Sequence, residues 1–208
     1  MTTRMDARGM RRPAVFVDKD GTLVRNVPYN VDPARVVFTD GAFRGLARLA
    51  AAGYALVVIT NQPGVALGYF SRVDLDALAR HLKERLADAG AALTGFYACP
   101  HAPASRPGTW SACTCRKPAP GLLERAARDH GLDLRASWMV GDILDDVEAG
   151  HRAGCRTVLL DVGNETEWRV SPLRTPTVRA RDLAHAAQAI LGPAPARATD
   201  RERAETTA

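Results

Sequence analysis

The sequence has no apolar run long enough to cross a bilayer. A transmembrane helix needs about 20 consecutive, mostly apolar residues, and no stretch of the 208-residue chain approaches that length. Residues 1–12 are polar and contain no apolar segment of the kind found in secretory signals. We therefore expect a cytoplasmic protein that does not interact with membranes.

Cysteine is scarce, and its placement argues against disulfide bonds. The chain has 4 cysteines, and cytoplasmic proteins rarely keep disulfides. Cys99, Cys113 and Cys115 are clustered in the sequence, whereas Cys155 stands apart. The cluster indicates metal binding or chemistry, and Cys155 is expected to be a buried apolar residue.

The sequence also lacks the kind of basic block that binds nucleic acid. The formal net charge is +5, but four arginines and one aspartate in residues 1–12 account for +3 of it. The remainder shows no run of Lys and Arg interleaved with aromatic residues. We expect no nucleic-acid partner, although a zinc-stapled nucleic-acid-binding module that uses the N-terminal arginines stays open as a non-enzymatic alternative.

Strand and helix patterns alternate along the rest of the chain. Apolar runs predict strands, and the spacing of apolar residues together with Ser and Gly at the ends predicts helices. The predicted strands are 14–17, 54–59, 93–98, 137–140, 156–160 and one near 177–178, and the predicted helices are 42–52, 71–89, 120–130, 144–153 and 180–191. This alternation is typical of an α/β fold with a doubly wound parallel sheet. We expect one domain, 13–191, between disordered tails at 1–12 and 192–208.

The most informative stretch is 14–24, AVFVDKDGTLV. Four apolar residues predict a buried strand that brings Asp18 and Asp20 to the carboxyl edge of the sheet, where open α/β folds bind ligands. Two neighbouring carboxylates are unfavourable there unless a cation or a proton separates their charges. A surface turn explains Gly21, but it does not explain an aspartate that follows directly from a buried strand.

Other polar groups are expected at the same edge. The second strand ends in Thr60 and Asn61, the fourth ends at Asp142, and Arg116-Lys117 precedes a helix between strands three and four. Each of these, taken singly, is equally well explained by a turn, a helix cap or a solvated pair. Because the carboxyl ends of parallel strands face the same way, the whole set indicates phosphoryl transfer.

Each residue type has a role in that chemistry. Asp18 is the candidate nucleophile that forms an aspartyl-phosphate, and Asp20 is the candidate general acid and base. Asp18 and Asp142 offer the hard oxygen ligands that Mg²⁺ prefers. Thr60 and Lys117 are placed to hydrogen-bond the phosphoryl oxygens.

These residues resemble the four motifs of the haloacid dehalogenase superfamily of phosphatases. In chain order the matching residues are Asp18-Lys19-Asp20-Gly21-Thr22, Thr60, Lys117 and Gly141-Asp142-Ile143-Leu144-Asp145-Asp146. The resemblance implies a Rossmann-like core and a Mg²⁺ ion bound by Asp18, Asp142 and the backbone carbonyl of Asp20. The connections that hold a cap domain in many relatives are too short here for one.

Within that superfamily, one further stretch is similar to the D-glycero-D-manno-heptose 1,7-bisphosphate phosphatases and the related histidinol-phosphate phosphatases. It consists of Cys99-Pro100-His101, residues 102–112 and Cys113-Thr114-Cys115-Arg116-Lys117-Pro118. The resemblance implies a structural Zn²⁺ site, and three thiolates with one imidazole fill a tetrahedral shell and leave no position for water. The implied zinc ligands are Cys99, His101, Cys113 and Cys115.

The same resemblance implies the substrate. It favours an enzyme that hydrolyses the 7-phosphate of D-glycero-D-manno-heptose 1,7-bisphosphate in nucleotide-activated heptose biosynthesis. We expect the protein to be a monomer. A histidinol-phosphate phosphatase, or a broad phosphatase of small metabolites, is the enzymatic alternative. Lys19, Pro63 and Ile143 stand where relatives often carry Arg, Ser and Lys, respectively. The implied substrate-binding residues are Asn26, Tyr29, Thr60, Asn61, Gln62, Arg116 and Lys117.

Overall fold

A six-stranded parallel sheet forms the centre of the protein, in a computed structural model that describes residues 11–103 and 113–192. The strand order is β3-β2-β1-β4-β5-β6. The strands are β1 (Arg12–Val17), β2 (Ala55–Asn61), β3 (Leu93–Cys99), β4 (Leu132–Gly141), β5 (Arg156–Leu160) and β6 (Val178–Ala180). The direction of winding reverses between β1 and β4, and open sheets of this kind bind ligands at such a reversal.

Helices cover both faces of the sheet, as the doubly wound prediction requires. The helices of the described residues are α1 (Ala42–Ala51), α2 (Arg72–Asp88), α3 (Gly121–His130), α4 (Leu144–Arg152) and α5 (Leu183–Leu191). Leucines and alanines of α1, α2 and α5 share one hydrophobic cluster with the sheet, and those of α3 share another with the opposite face. The predicted fold class is therefore confirmed.

The two faces are visible in the side chains of β1. Val15 and Val17 belong to the cluster under α1, α2 and α5, whereas Ala14 and Phe16 belong to the cluster under α3. Each of the four is at most 2% exposed. An uninterrupted apolar run is thus needed because alternate side chains enter two different cores.

The fourth strand begins at Leu132, five residues before the predicted start at Ser137. Its register against β1 shifts between Pro13 and Val15. The Ser137 hydroxyl accepts a hydrogen bond from the Ala14 N–H at 2.8 Å and donates one to the Asp133 carbonyl. The side chains in the first half of β4 are partly polar, so the apolar pattern did not predict this half as strand. It is a strand because it pairs with β1.

Two other boundaries also differ from the sequence prediction. Arg12 opens β1 instead of belonging to a tail, and its guanidinium donates to the carbonyls of Gly53 and Tyr54. Helix α5 begins after Asp182, whose carboxylate accepts from the His185 N–H at 2.7 Å, rather than near residue 180. Residues 1–10, 104–112 and 193–208 lie outside the described residues, so the predicted disordered tails there stay predictions.

No inserted domain interrupts the described part of the catalytic edge. The connection from β1 to α1 contains a short 3-10 helix (Pro33–Arg35), and the connection from β2 to β3 contains α2. Ser71 caps α2, as predicted, by accepting from the Asp74 N–H. Within the described ranges, no helix combines the length and apolar character needed to span a membrane.

Candidate active site and metal centres

The carboxyl ends of β1, β2 and β4 lie side by side. Val17 is in register with Val58 of β2 and Val140 of β4. The Asp18 N–H still donates to the Val140 carbonyl at 2.9 Å, so the strand geometry continues to the first candidate catalytic residue. The next few residues turn back sharply, with N–H groups of Leu23 and Val24 donating to the Lys19 carbonyl. Sheet and turn together hold the Asp18 side chain at the switch point.

Lys117 joins this edge from the connection before α3. Its ammonium lies 2.5 Å from an Asp18 carboxylate oxygen and 2.5 Å from an Asp146 oxygen, and it donates to the Ile59 carbonyl at 3.2 Å. The Lys117 side chain is 3% exposed. A buried ammonium needs such partners, because an unpaired charge in the interior is strongly unfavourable.

Asp146 was not among the predicted site residues, although it lies in the fourth motif. It belongs to the first turn of α4, where its side chain comes back over Gly141. A Cβ on Gly141 would lie 2.2 Å from Asp146 side-chain atoms, so only glycine permits this approach. The Gly-Asp-x-x-x-Asp spacing was the sequence signal for Asp146, since one helical turn carries the second aspartate back to the strand end.

Asp142 is held by two side chains from separate parts of the chain. The Thr22 hydroxyl donates to its Oδ1 at 2.8 Å, and the Asn164 amide donates to its Oδ2 at 2.8 Å. Thr22 belongs to the first motif, but Asn164 follows β5 and was missed. No local pattern in the sequence marks Asn164, since its position depends on how the connection after β5 folds.

Three carboxylates form a group with the chemistry of a magnesium site. One oxygen each from Asp18, Asp142 and Asp146 lies within 4.8 Å of the others. Mg²⁺ prefers hard oxygen ligands and usually takes only one or two carboxylates from the protein. Lys117 contacts both Asp18 and Asp146 in this group, whereas Asp142 accepts hydrogen bonds from uncharged side chains.

Burial makes this group electrostatically unfavourable without a bound cation. It raises the pKa of Asp18 to about 7, against the pull of Lys117. Burial, and then the charge of Asp18, raise the pKa of Asp142 to about 6. Burial lowers the pKa of Lys117, but the Asp146 and Asp18 carboxylates outweigh that effect and hold it above its usual value. A divalent cation would favour the ionised carboxylates, so the electrostatics are consistent with a metal site.

The Asp20 side chain belongs to a second network beside this group. Its carboxylate is 2.8 Å from the Lys19 ammonium and accepts from the Gln62 amide at 2.8 Å. The same Gln62 amide donates to the Thr60 hydroxyl at 2.9 Å. Gln62 therefore connects the predicted acid/base to the predicted phosphoryl-binding threonine, whereas the sequence assigned it only to substrate binding.

Asn61 fixes the backbone of Lys117. Its side-chain oxygen accepts from the Lys117 N–H at 3.0 Å, and its amide donates to the Lys117 carbonyl at 3.2 Å. The two hydrogen bonds resemble those between neighbouring strands, and they hold the end of β2 against the segment that supplies the Lys117 ammonium. The Asn61 side chain is engaged in these two hydrogen bonds with the backbone, and a substrate-binding role for it stays a prediction.

The remaining predicted substrate residues lie farther out. Asn26 and Tyr29 are exposed on the connection after β1, and the Tyr29 ring packs edge-on against Tyr69, with centroids 4.6 Å apart. Arg116 donates to the His101 carbonyl at 3.3 Å. The hydrogen bonds of the described residues do not link Asn26 or Tyr29 to the carboxylate group, so their substrate roles stay predictions.

The four predicted zinc ligands come together at the end of β3. The Cys99 sulfur is 3.1 Å from that of Cys115 and 3.7 Å from that of Cys113, and Nδ1 of His101 is 3.2 Å from the Cys115 sulfur. All four donor atoms lie within 4.8 Å of one another. Tetrahedral Zn–S bonds of about 2.3 Å place sulfurs about 3.8 Å apart. The donor set therefore fits a closed zinc site.

The fold and this edge define a hydrolase of the haloacid dehalogenase (HAD) class. The HAD-hydrolase-like family model matches residues 114–186. The crystal structure of D,D-heptose 1,7-bisphosphate phosphatase from B. bronchiseptica, complexed with magnesium and phosphate, matches with a TM-score of 0.70 and 30% identity. The match covers 86% of this chain and 98% of that one.

Curated relatives narrow the class to one family. The D-glycero-beta-D-manno-heptose-1,7-bisphosphate 7-phosphatase of Pasteurella multocida is 40% identical over 153 residues, which are 73% of this chain and 83% of the relative. The enzyme of the same name from Escherichia coli K12 is 39% identical over 172 residues, which are 77% of this chain and 90% of the relative. The chain belongs to this family of phosphoric monoester hydrolases.

Proposed function

We propose that the protein is a Mg²⁺-dependent phosphatase that removes the 7-phosphate of D-glycero-D-manno-heptose 1,7-bisphosphate through an aspartyl-phosphate. The observation that carries this proposal is the buried contact of Asp18 with Lys117, next to Asp142, at the switch point of the sheet. The names of the relatives support the substrate. Family membership also favours an enzyme over a non-enzymatic binding module.

In the first step, the Asp18 carboxylate attacks phosphorus while the bond to the sugar oxygen breaks. Asp20 gives its proton to that leaving oxygen, so the sugar departs as a neutral alcohol. Lys19 and Gln62 hold the Asp20 carboxylate in place for the transfer. The ammonium of Lys117 and the hydroxyl of Thr60 stabilise the charge on the phosphoryl oxygens.

In the second step, Asp20 is ionised and takes a proton from a water molecule. The resulting hydroxide attacks phosphorus, the bond to Asp18 breaks, and inorganic phosphate leaves. Asp20 therefore acts as the acid in the first step and as the base in the second. Asp18 is the nucleophile in the first step and the leaving group in the second. Each returns to its starting protonation state, which closes the cycle.

Asp18 and Asp142, together with the backbone carbonyl of Asp20, would hold the magnesium ion. When bound, the ion screens the repulsion between the Asp18 carboxylate and the incoming phosphate. The zinc ligands would serve a structural role, because the Cys99, His101, Cys113 and Cys115 set leaves no open position. Zinc bound to Cys115 would also help to place Arg116 and Lys117, which follow it directly in the sequence.

Histidinol phosphate is the second candidate substrate. Ile143 stands beside the Asp142 position, where relatives in the heptose group can carry a Lys that contacts the substrate. An apolar side chain there removes one cation for the distal phosphate of a bisphosphate. This substitution affects the identity of the substrate rather than the phosphatase chemistry.

A substrate panel tests the proposal. Purified protein with Mg²⁺ is assayed for phosphate release from both anomers of the heptose bisphosphate, from histidinol phosphate and from unrelated sugar monophosphates. We expect the highest kcat/KM for one heptose anomer. A higher value for histidinol phosphate would contradict the proposed substrate, and no Mg²⁺-dependent release from any of these compounds would contradict the proposed mechanism. The predicted monomeric state and cytoplasmic location stay predictions.

A further inference from the structure

The connection between β5 and β6 packs beside the predicted magnesium ligand Asp142. It forms one wall of a cleft of about 630 Å³, whose other wall is the start of α4. Asn164 and Glu165 line this cleft together with Ile143, which follows Asp142 in the chain. None of the four catalytic motifs includes any residue of this connection, so its contacts with Asp142 need a separate explanation.

Asn164 completes the hydrogen bonding of the Asp142 carboxylate. Its amide donates to Oδ2, and the Thr22 hydroxyl donates to Oδ1, each at 2.8 Å. A carboxylate oxygen has more than one acceptor site, so a bound cation can share each oxygen with its hydrogen bond. Two donors on opposite oxygens fix the plane of the carboxylate, which a single donor would leave free to rotate.

The turn after Asp20 leaves little room for any other arrangement. Gly21 has a φ of +87°, and a Cβ built on it would lie 2.2 Å from Oδ2 of Asp142 and 2.6 Å from Nδ2 of Asn164. The Asp142–Asn164 pair therefore packs directly against the backbone of the first motif. This close approach explains the glycine by contact as well as by turn conformation.

The neighbours of Asn164 anchor it to α4. The Glu165 carboxylate accepts from the Leu144 N–H at 2.7 Å, where Ile143 offers no side-chain acceptor to cap the helix. Farther along, Arg174 donates to Glu148 at 2.7 Å and also contacts Asp145. The connection is thus fastened to α4 on both sides of the cleft, which holds Asn164 over Asp142.

We infer that Asn164 is a positioning residue that orients Asp142 for binding Mg²⁺. The inference rests on the proposed function, because it takes Asp142 as a ligand of the ion. Hydrogen-bonding partners of metal ligands typically contribute about 10- to 100-fold to metal affinity. Asn164 is itself exposed, so its replacement leaves the apolar core unchanged.

Calorimetric titration of Mg²⁺ into the zinc-loaded, magnesium-free protein tests this role. We expect the Mg²⁺ Kd of Asn164→Ala to rise about tenfold or more relative to that of the wild type. Thr166→Ala is the matched control, because Thr166 is exposed on the same wall of the cleft and lies two residues away. Its Kd is expected to equal the wild-type value.

The outcomes separate this inference from the proposed function. An unchanged Kd in Asn164→Ala overturns the inference alone, and so does an equal loss in Thr166→Ala, which would show general loosening of the connection. A wild-type protein that binds no Mg²⁺ overturns the proposed function as well. Thermal unfolding without Mg²⁺ is measured for each variant, and equal midpoints would exclude a folding defect as the cause of weaker binding.

Discussion

The aspartate–lysine centre and the cysteine–histidine cluster gather potential metal ligands in different ways. In the first, protein groups compensate part of the carboxylate charge: Lys117 pairs with Asp18, and Thr22 and Asn164 donate to Asp142. In the second, four donor atoms mainly face one another, and burial raises the pKa of Cys99. The first centre is therefore shaped by the fold, whereas the thiolates of the second would be favoured only by a bound cation.

The two regions are nonetheless linked through a short stretch of chain. Cys115 is followed directly by Arg116 and Lys117, and Lys117 supplies the only ammonium that contacts Asp18 among the described residues. Asn61 holds the Lys117 backbone from the side of β2. The cluster is thus joined to the aspartate–lysine centre by two residues of chain, and variants in each region are expected to act differently.

The largest effect is expected for Asp18→Asn. Removing the nucleophile should lower kcat by a factor of about 10⁴ or more, while zinc content stays at the wild-type level. Phosphate release and metal analysis measure the two quantities, with Asp76→Asn on the exposed face of α2 as the control. Substantial turnover by Asp18→Asn would contradict the aspartyl-phosphate mechanism.

Loss of one zinc ligand is expected to act through stability first. Cys115→Ser should reduce bound zinc, lower the free energy of unfolding by about 3–5 kcal/mol, and reduce activity by displacing Lys117. Cys155→Ala is the matched control, because Cys155 is buried but lies outside the cluster. Elemental analysis and denaturant unfolding provide the readouts. Equal zinc content in the two variants would show that the cluster does not bind the ion.

The pH dependence of the free energy of unfolding tests the aspartate–lysine centre separately from the cysteine–histidine cluster. Burial raises the Asp18 pKa from 3.8 to about 7, so between these values the folded protein binds more protons at this site than the unfolded chain does. The free energy of unfolding without Mg²⁺ should therefore fall as pH rises through this window, by about 4 kcal/mol. Urea unfolding at several pH values measures it. The decrease should shrink in Asp18→Asn, and an identical decrease in both proteins would refute its assignment to Asp18.

The smallest effect is expected away from both centres. Asp182→Ala removes the side-chain cap of α5 and should cost about 1 kcal/mol of stability. Activity and zinc content should stay at wild-type values, since α5 packs on the opposite face of the sheet from α3. The measurements are the same unfolding and phosphate-release assays. A large loss of activity would mean that the catalytic edge is sensitive to any loss of stability.

Much of the fold could be predicted because its signals are local. The buried strand 14–17, the helix after Ser71 and the glycine that follows α3 are each specified by neighbouring residues. The start of β4 could not be predicted, because residues 132–136 become a strand only through pairing with β1 and the Ser137 side chain. The predicted Asp18 and Lys117 do meet, but their roles in catalysis stay predictions until the assays above are made.

The sequence alone determined the order of strands and helices, the carboxylates at the strand ends and the four zinc-type ligands, since short-range spacing encodes all of these. Tertiary structure decided which distant groups meet: Lys117 with Asp146, Gln62 with Asp20, and Asn164 with Asp142. These partners lie 29, 42 and 22 residues apart in the chain. The hydrophobic pattern of the sequence does not predict such contacts, because they form only when the connections pack over the edge of the completed sheet.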